Sequence, residues 1–430
     1  MYARLLALLR ELEPNRHFLK LWASQALSLT AFNMVNFTLL LRVFELTNSA
    51  VMVGLFVLSF GLPSLFFGAI AGVFADRWNR RSVLIGTNLL RTAVVLLYLP
   101  ALDHLPTLFA VTFMIATITQ FFTPAEGATI PDLVERKRLV AANSVFMTTL
   151  FGSFVLGYGI AGPLAATGGD GLVIGLAAAM FGLASVACLS LPKIKQVTHR
   201  VKLTDAYRGL FAQLKGGFAV VRQNRFVRYG LVQLTFIWAT IGVVMVIVPA
   251  YTSEVLDLNL REISRLVILP IGIGMLIGGY VLYRARHQFG IRSIVALSLL
   301  VAGLAVLGLG QIGAIGEWLQ DWGVFPHDTD AVRQLVTSVA STLLGFGVAI
   351  VMIASQTLIH EHTAPAVRGR IFGVLGMSIN AANTIPILLA GTLTDLFSAT
   401  AVITGVGIGL LIWGALSPVA RRFSEETVGA

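Results

Sequence analysis

Residues 72–84 read GVFADRWNRRSVL, and the fold class of this protein follows from that stretch. It contains one acid, Asp76, followed closely by Arg77, Arg80 and Arg81. A long apolar run leads into it, and a second one begins as soon as it ends. A short basic turn between two apolar runs is typical of a cytoplasmic hairpin in a protein that crosses the membrane several times.

The composition agrees with a membrane protein. Of the 430 residues, 56% are hydrophobic and 12% are charged, whereas soluble domains carry about 25% charged residues. This excludes a water-soluble globular protein. The only cysteine, Cys188, lies in an apolar run, so no disulfide can form within the chain.

The formal net charge of +10 raises the question of nucleic-acid binding, and the positions of the cations answer it. We assign 26 of the 31 lysines and arginines to one side of the membrane. Such an asymmetry predicts a multi-pass membrane protein with both termini in the cytoplasm and no nucleic-acid partner. These cations are Arg4, Arg10, Arg16, Lys20, Arg77, Arg80, Arg81, Arg136, Lys137, Arg138, nine residues from Lys193 to Arg228, Arg284, Arg286, Arg292, Arg368, Arg370, Arg421 and Arg422.

A membrane-spanning helix needs about 20 apolar residues, and the chain contains twelve such runs, which predict twelve transmembrane helices. A basic, polar segment at 192–227 separates the first six from the last six. The predicted spans, numbered 1 to 12, are about 18–43, 51–75, 83–101, 107–130, 140–166, 171–191, 228–252, 263–283, 291–315, 332–358, 367–394 and 398–418.

The predicted domains follow from these spans. We expect an amphipathic segment at 1–16, a six-helix bundle at 17–191, a cytoplasmic linker at 192–227, a second bundle at 228–418 and a cytoplasmic tail at 419–430. The halves also resemble each other, because Ala125–Asn143 can be laid without gaps on Ser355–Gly373. Parallel repeats of this kind relate the two halves of some transporters.

The opening stretch resembles the loop between helices 2 and 3 of the major facilitator superfamily (MFS), usually written G-x-L-a-D-r-x-G-r-k-x-x-l. The resemblance implies an all-α membrane protein made of two pseudo-symmetric six-helix bundles. Asn79 stands where glycine is usual, and asparagine is the next-best residue for a left-handed backbone position. The residues in register are Gly72, Ala75, Asp76, Arg77, Arg80, Arg81 and Leu84.

Three further patterns resemble one branch of that superfamily, the drug and siderophore exporters that include macrolide efflux proteins and the enterobactin exporter. They are Glu45–Ala50 followed by Gly54, Pro131–Val134 followed by Ala142–Ser144, and Arg368–Gly373. The resemblance implies export of a small molecule by a protein of the bacterial plasma (inner) membrane.

Residues around the first hairpin are predicted to form a cytoplasmic latch. A carboxylate such as Asp76 is stabilised beside a helix amino terminus, and the resemblance implies that span 11 begins there. Arg77 and Arg81 are expected to pair with Asp132 or Glu135. The alternative is a solvated turn that only sets topology. The predicted latch residues are Gly72, Asp76, Arg77, Arg80, Arg81, Asp132, Arg368 and Arg370.

Proton coupling is assigned to charged residues within or beside the spans. Arg91 lies inside span 3, where an arginine must be paired or reach water, and Glu126 near the end of span 4 is its candidate partner. Asp132 is a third candidate. The alternative is a static ion pair between spans 3 and 4. The family often has an acid in the middle of helix 1, where this chain has Ala31-Phe32-Asn33, so coupling remains open.

The resemblance implies that helices 1, 4, 7 and 10 line the substrate cavity. Amides and aromatic rings without a fixed charge suit a large amphiphilic substrate, although such residues also form hydrogen bonds between helices. The candidates are Gln25, Asn33, Asn36, Gln120, Phe121, Gln233, Trp238, Ser341 and Gln356. In span 5, Gly157, Gly162 and Pro163 form a predicted helix-packing motif, and Gly162-Pro163 resembles the antiporter signature of exporters.

These patterns predict a secondary exporter of a hydrophobic or amphiphilic small molecule that works by alternating access, coupled to protons as an antiporter. The expected partners are this substrate, protons and the lipid bilayer, and the expected state is a monomer. No metal site, cofactor or enzymatic activity is predicted, since no catalytic cluster appears at workable spacing. The alternatives are a lipid or lysophospholipid flippase and a membrane receptor or scaffold that does not transport.

Overall fold

The computed structural model describes residues 15–135, 138–192, 215–285, 290–321, 329–363 and 365–425. These residues are almost entirely helical and include no strand. The predicted amphipathic segment at 1–16 and most of the predicted linker lie outside them. The all-α fold class is therefore confirmed, and the domain bounds stay predictions.

Besides a helical stretch at 215–223, the described residues form twelve α-helices that are named here in chain order. Eleven of them correspond to predicted spans, and the short helix α9 begins within the end of predicted span 9. They are α1 Arg16–Thr47, α2 Ala50–Arg77, α3 Arg80–Leu96, α4 Leu105–Leu133, α5 Leu139–Leu189, α6 Arg225–Glu254, α7 Leu269–Ala285, α8 Ile291–Gly310, α9 Ile312–Asp321, α10 Thr329–Glu361, α11 Pro365–Leu396 and α12 Ala399–Glu425.

Eleven helices in the described part of the chain are long and apolar enough to cross a membrane. One of these, Ala141–Leu189, has 49 residues, more than twice the roughly 20 that one crossing needs. Gly169 interrupts it with φ 71°, a value that glycine adopts without steric cost. Predicted spans 5 and 6 therefore form the two arms of α5, and the count of twelve crossings stays a prediction.

Predicted span 9, at 291–315, is too long. Helix α8 ends at Gly310, and α9 begins two residues later at Ile312. The connecting residue, Gln311, has φ −114° and ψ 24°, outside helical geometry. The sequence stays apolar across this break, so hydropathy alone predicts a single span where the structure has two helices.

The chain divides into two compact units. The first comprises residues 1–47 and 55–210, and the second comprises 48–54 and 211–430. In the first unit, α5 packs on α1 and α3, and α3 also packs on α4. A buried apolar cluster that includes Phe18, Leu84, Val145 and Leu191 fills its interior near the predicted cytoplasmic ends of the helices.

A glycine allows a close helix contact in the first unit. A Cβ placed on Gly157 of α5 would lie 2.6 Å from Asn33 Cβ and 2.9 Å from the carbonyl oxygen of Thr30, both on α1. Small residues allow membrane helices to approach this closely. Gly157 thus lies at a close contact of α5 with α1, Pro163 lies inside α5 without ending it, and the three-residue motif with Gly162 stays a prediction.

In the second unit, α10 packs on α6, α7 and α8, and α8 also packs on α12. Glycines again allow close approach. A Cβ on Gly274 of α7 would overlap the carbonyl oxygen of Thr342 on α10, and one on Gly345 of α10 would overlap that of Ile271. The backbones of α7 and α10 are thus in direct contact, and a side chain at either glycine would push them apart.

Candidate functional site

The candidate site is a buried pair of opposite charges in the first unit. Arg91 on α3 is 2% exposed and Glu126 on α4 is 7% exposed, and the two interact electrostatically. The guanidinium carbon of Arg91 lies 4.3 Å from the ring centroid of Phe122, one helical turn before Glu126. A cation over an aromatic face is stabilised by the ring quadrupole. The sequence proposed Glu126 as the candidate partner of Arg91, and their role in proton coupling stays a prediction.

Polar side chains from α1 and α5 surround the residues beside Arg91. Ser28 Oγ donates a hydrogen bond to Asn88 Oδ1 at 2.6 Å, and Asn88 lies one turn before Arg91 on α3. Ser24 Oγ, one turn before Ser28, lies 3.1 Å from Cys188 Sγ near the end of α5. Because Ser24, Ser28, Asn88 and Cys188 are all buried, the interior of this unit has a polar zone linking α1, α3 and α5.

Arg91 and Glu126 each have a polar atom without a hydrogen bond. Within the described part of the chain, Arg91 Nε and Glu126 Oε1 are both buried and have no hydrogen-bond partner. The large majority of buried polar atoms in proteins have one. A buried ionisable carboxyl close to an arginine, with one oxygen that accepts no hydrogen bond, is a candidate for gaining and losing a proton.

The predicted cytoplasmic hairpin forms a structured turn. The left-handed backbone expected at Asn79 is wrong: Asn79 has φ −62° and ψ 112°. Its side chain instead caps α3, because Oδ1 accepts a hydrogen bond from Arg81 N at 3.0 Å. Asparagine is among the preferred residues at this position, so the departure from glycine provides a helix cap.

The arginines of the hairpin connect three helix ends. Arg80 forms an ion pair with Asp132 and donates to the carbonyl oxygen of Ala128 at 2.9 Å, both on α4. Arg81 donates to the carbonyl oxygen of Leu189, the last residue of α5. Asp132 thus pairs with Arg80, whereas the sequence had assigned Arg77 or Arg81 to it. The start of α3 is held against the ends of α4 and α5.

The remaining latch residues cannot be placed in the same way. The side chains of Gly72, Asp76, Arg77, Arg368 and Arg370 lie outside the described set. The latch therefore stays a prediction.

A contact of the type predicted for Asp76 is formed by another acid. Within the second unit, Asp395 Oδ1 accepts from the amide of Ala50 at 2.6 Å, and Oδ2 accepts from Ser49 Oγ at 2.6 Å. The carboxylate thereby caps the first turn of α2, where unpaired amides attract negative charge.

The predicted cavity residues of the first unit are in different environments. Gln25 is 5% exposed, and its Oε1 has no hydrogen-bond partner among the described residues. Asn36 is also buried, whereas Asn33 lies against Gly157 where α1 and α5 touch. Gln120 Nε2 lies 3.4 Å from the carbonyl oxygen of Ala116 on its own helix. The ring of Phe121 packs edge-on against Phe74, with centroids 5.9 Å apart.

In the second unit, Gln233 takes part in helix packing. Its Oε1 accepts from Trp413 Nε1 at 3.0 Å, and its Nε2 donates to Ser417 Oγ at 3.2 Å. Tyr229 OH lies 2.7 Å from the same hydroxyl. The alternative that the sequence left open, hydrogen bonding between helices, therefore describes Gln233 between α6 and α12.

The other candidate cavity residues of the second unit are Ser341, Trp238 and Gln356. Ser341 on α10 is fully buried, and its Oγ has no partner in the described part of the chain. Trp238 on α6 and Gln356 on α10 are half-buried.

A sequence profile described as the Major Facilitator Superfamily matches residues 21–326. The chain belongs to this superfamily. Among MFS relatives, macrolide efflux protein A of Streptococcus pyogenes is 24% identical over 394 residues, which cover 88% of this chain and 89% of the relative. The enterobactin exporter EntS of Shigella boydii is 28% identical over 433 residues, covering 96% and 95%.

Solved structures give the same fold. The peptide transporter PepTSo of the POT family is similar with a TM-score of 0.69, at 13% identity over 96% of this chain and 99% of that one. The nucleoside transporter NupG is similar with a TM-score of 0.64, at 15% identity over 94% of this chain and 96% of that one. Both similarities show that this chain has the fold of these multi-helix membrane proteins.

Two polar networks of this MFS protein escaped sequence reasoning: Ser24–Ser28–Asn88 in the first unit and Tyr229–Gln233–Ser417 in the second. A usable signal was present, because Ser24 and Ser28, like Tyr229 and Gln233, are four residues apart and so share one helix face. The partners Asn88, Ser417 and Trp413 are distant in sequence, and only the packing of helices brings them together.

Proposed function

We propose that this MFS protein exports a hydrophobic or amphiphilic small molecule by alternating access, as an antiporter driven by protons. The relatives that span nearly the whole chain are named as exporters of macrolides and of enterobactin. Both kinds of compound are bulky and combine apolar and polar groups. Export of the same broad class is the activity that this similarity supports.

The observation that carries proton coupling is the buried pair Arg91–Glu126. An ionisable residue inside a membrane helix bundle is costly and is a functional candidate by default. Glu126 satisfies two requirements of a coupling carboxyl: it is isolated from the surface and has a counter-charge that stays when the proton leaves. Phe122, one turn before Glu126 on α4, also contacts the guanidinium, so Arg91 does not depend on Glu126 alone for its position.

The candidate substrate residues support an amphiphilic cargo. Gln25 and Ser341 are buried polar groups without partners among the described residues, and so can receive a hydrogen bond from a ligand. We place the ends of α1 and α4 that carry Arg16 and Asp132 on the cytoplasmic side, together with both termini, on the asymmetry of the cations.

The test is compound-driven proton release from the purified protein in weakly buffered detergent. A macrolide, enterobactin and a panel of other amphiphiles are added to the wild type and to Glu126→Gln. A matched control is Glu254→Gln, which removes an exposed carboxylate at the end of α6. We expect release from the wild type and from the control, and none from Glu126→Gln.

Each other outcome has a definite meaning. Binding without proton release in the wild type would rule out antiport and favour a uniporter or a lipid flippase. Release that persists in Glu126→Gln would remove Glu126 from coupling. Neither binding nor release over the whole panel would favour a receptor or scaffold.

A further inference from the structure

The two units contain the same asparagine contact at equivalent places. In the first unit, Asn15 immediately precedes α1, and its Oδ1 accepts a hydrogen bond from Phe18 N at 3.0 Å. In the second unit, Asn224 immediately precedes α6, and its Oδ1 accepts from Phe226 N at 3.0 Å and Val227 N at 3.2 Å. Each asparagine therefore caps the first turn of a predicted cavity-lining helix.

The amide nitrogen of each asparagine makes a second contact with another helix. Asn15 Nδ2 donates to the carbonyl oxygen of Leu133, the last residue of α4. Asn224 Nδ2 donates to the carbonyl oxygen of His362 at 3.1 Å, one residue beyond the end of α10. The last carbonyls of a helix lack intrahelical partners, as the first amides do. One side chain thus satisfies the start of one helix and the end of its neighbour.

The repeat is visible in the sequence once the contacts are known. The dipeptide Asn-Arg occurs as Asn15-Arg16 before α1 and as Asn224-Arg225 before α6, and it also occurs as Asn79-Arg80 before α3. When Ala125–Asn143 is laid on Ser355–Gly373, Asp132 falls on His362, so the two acceptor carbonyls, of Leu133 and His362, differ by one position. Two contacts with the same donor, the same cap and nearly the same acceptor indicate a shared role.

Aromatic packing supports each contact. In the first unit, Phe18 packs against Phe146 with ring centroids 5.7 Å apart, inside the buried cluster that Leu133 borders. In the second unit, the His362 ring stacks on Phe226 with centroids 4.2 Å apart and an interplanar angle of 23°. The hydrogen bond in each unit is therefore part of a fixed helix-end junction.

We propose that Asn15 and Asn224 are matched positioning residues that join α1 to α4 and α6 to α10, so that each pair moves as one body during transport. This proposal rests on the proposed function, because those four helices correspond to the cavity-lining helices of the family. The two asparagines act through the helices they join. A helix pair held at one end keeps its cavity residues in register while the rest of the unit rearranges.

The test distinguishes the helix cap, made by the side-chain oxygen, from the bridge, which is the hydrogen bond that the side-chain nitrogen donates to the neighbouring helix end. Aspartate is as good a helix cap as asparagine, but it cannot donate a hydrogen bond and places negative charge against a carbonyl oxygen. The variants are Asn15→Asp, Asn224→Asp and the corresponding alanine substitutions. Asn259→Asp is the control, since Asn259 caps the short helix Leu260–Glu262 by accepting from Arg261 N at 3.0 Å.

The first readout is backbone amide exchange, which needs no substrate. In Asn15→Asp we expect faster exchange in the last turn of α4 by about two- to tenfold, the equivalent of one ordinary hydrogen bond. Exchange in the first turn of α1 stays at the wild-type rate. The alanine variant loosens both ends. Unchanged exchange at the end of α4 in both variants would overturn the proposal.

The second readout is the uptake of a macrolide or enterobactin into proteoliposomes driven by a pH gradient. We expect both aspartate variants to lower the maximum rate by about two- to tenfold while the half-saturating concentration stays the same. If the aspartate variants transport at the wild-type rate, the asparagines act only as helix caps, and the proposed coupling of the helix pairs is wrong. If the wild type transports neither compound, the proposed function fails, and amide exchange still tests the junction separately.

Discussion

At the residue scale, Arg91 and Glu126 raise the question of whether their pairing is static or serves proton movement. Removing one member of a buried ion pair costs about 3–5 kcal/mol, because the other charge is left without compensation. Replacing both members together costs far less. Phe122 complicates this expectation, since its ring stabilises Arg91 independently of the carboxylate.

We therefore predict that Arg91→Met strongly lowers the melting temperature of the purified protein, and that adding Glu126→Gln restores most of the loss. The physical reason is that Arg91→Met leaves Glu126 buried without its counter-charge, whereas the double variant has no charged group to compensate. A double-mutant cycle of thermal melts in detergent measures the coupling. Losses that simply add would contradict an energetic pair between α3 and α4.

At the same scale, the sequence singled out these two residues as a candidate pair from their positions in the predicted spans. An arginine inside an apolar span requires compensation, and Glu126 was the nearest acid in a neighbouring span. The sequence could not predict Phe122 over the guanidinium, or Ser24 and Asn88 nearby, because those contacts depend on how each helix is rotated about its axis.

At the element scale, close helix packing depends on a few glycines whose missing side chains face a neighbouring backbone. The contact between α7 and α10 is the tightest of these. Gly274 and Gly278 are four residues apart on α7 and so lie on one face, and both face carbonyl oxygens of α10, those of Thr342 and Phe346. A backbone atom cannot rotate away as a flexible side chain can.

Gly274→Ala is predicted to destabilise the second unit by at least the 1–3 kcal/mol typical of overpacking. Gly279→Ala on the same helix is the control, since its Cβ would meet only Ile353 Cδ1 at 3.5 Å. Alanine also favours a helix over glycine by about 1 kcal/mol, so the control should be neutral or slightly stabilising. The melting temperatures of the two purified variants, compared with that of the wild type, test this prediction. Equal melting temperatures would show that the two helices can separate without cost.

At the scale of the whole molecule, the distribution of cations predicts the orientation in the membrane. Turns rich in lysine and arginine stay in the cytoplasm. Trp78, between α2 and α3, is 53% exposed and lies in such a turn. Phe397, between α11 and α12, is 73% exposed and lies in a turn without cations.

Single-cysteine labelling tests this orientation. Cys188 is the only natural cysteine and is buried, so Cys188→Ser provides a background without reactive thiols. In that background, Phe397→Cys should react with a membrane-impermeant maleimide on intact cells. Trp78→Cys should react only after the membrane is permeabilised. The reverse pattern would invert the proposed topology, and with it the assignment of Asp132 and Arg80 to the cytoplasm.

The sequence by itself determined the class of molecule, because a membrane-spanning helix is recognisable as about 20 consecutive apolar residues. Lysines and arginines concentrate in the turns on the cytoplasmic side. It also identified the charged residues most costly to bury. Only the tertiary structure decided that Asn79 caps a helix, that Arg80 pairs with Asp132, and that Asn15 and Asn224 bridge helix ends. Those contacts depend on the rotation and register of helices far apart in the chain, and the periodicity of an almost uniformly apolar helix does not encode them.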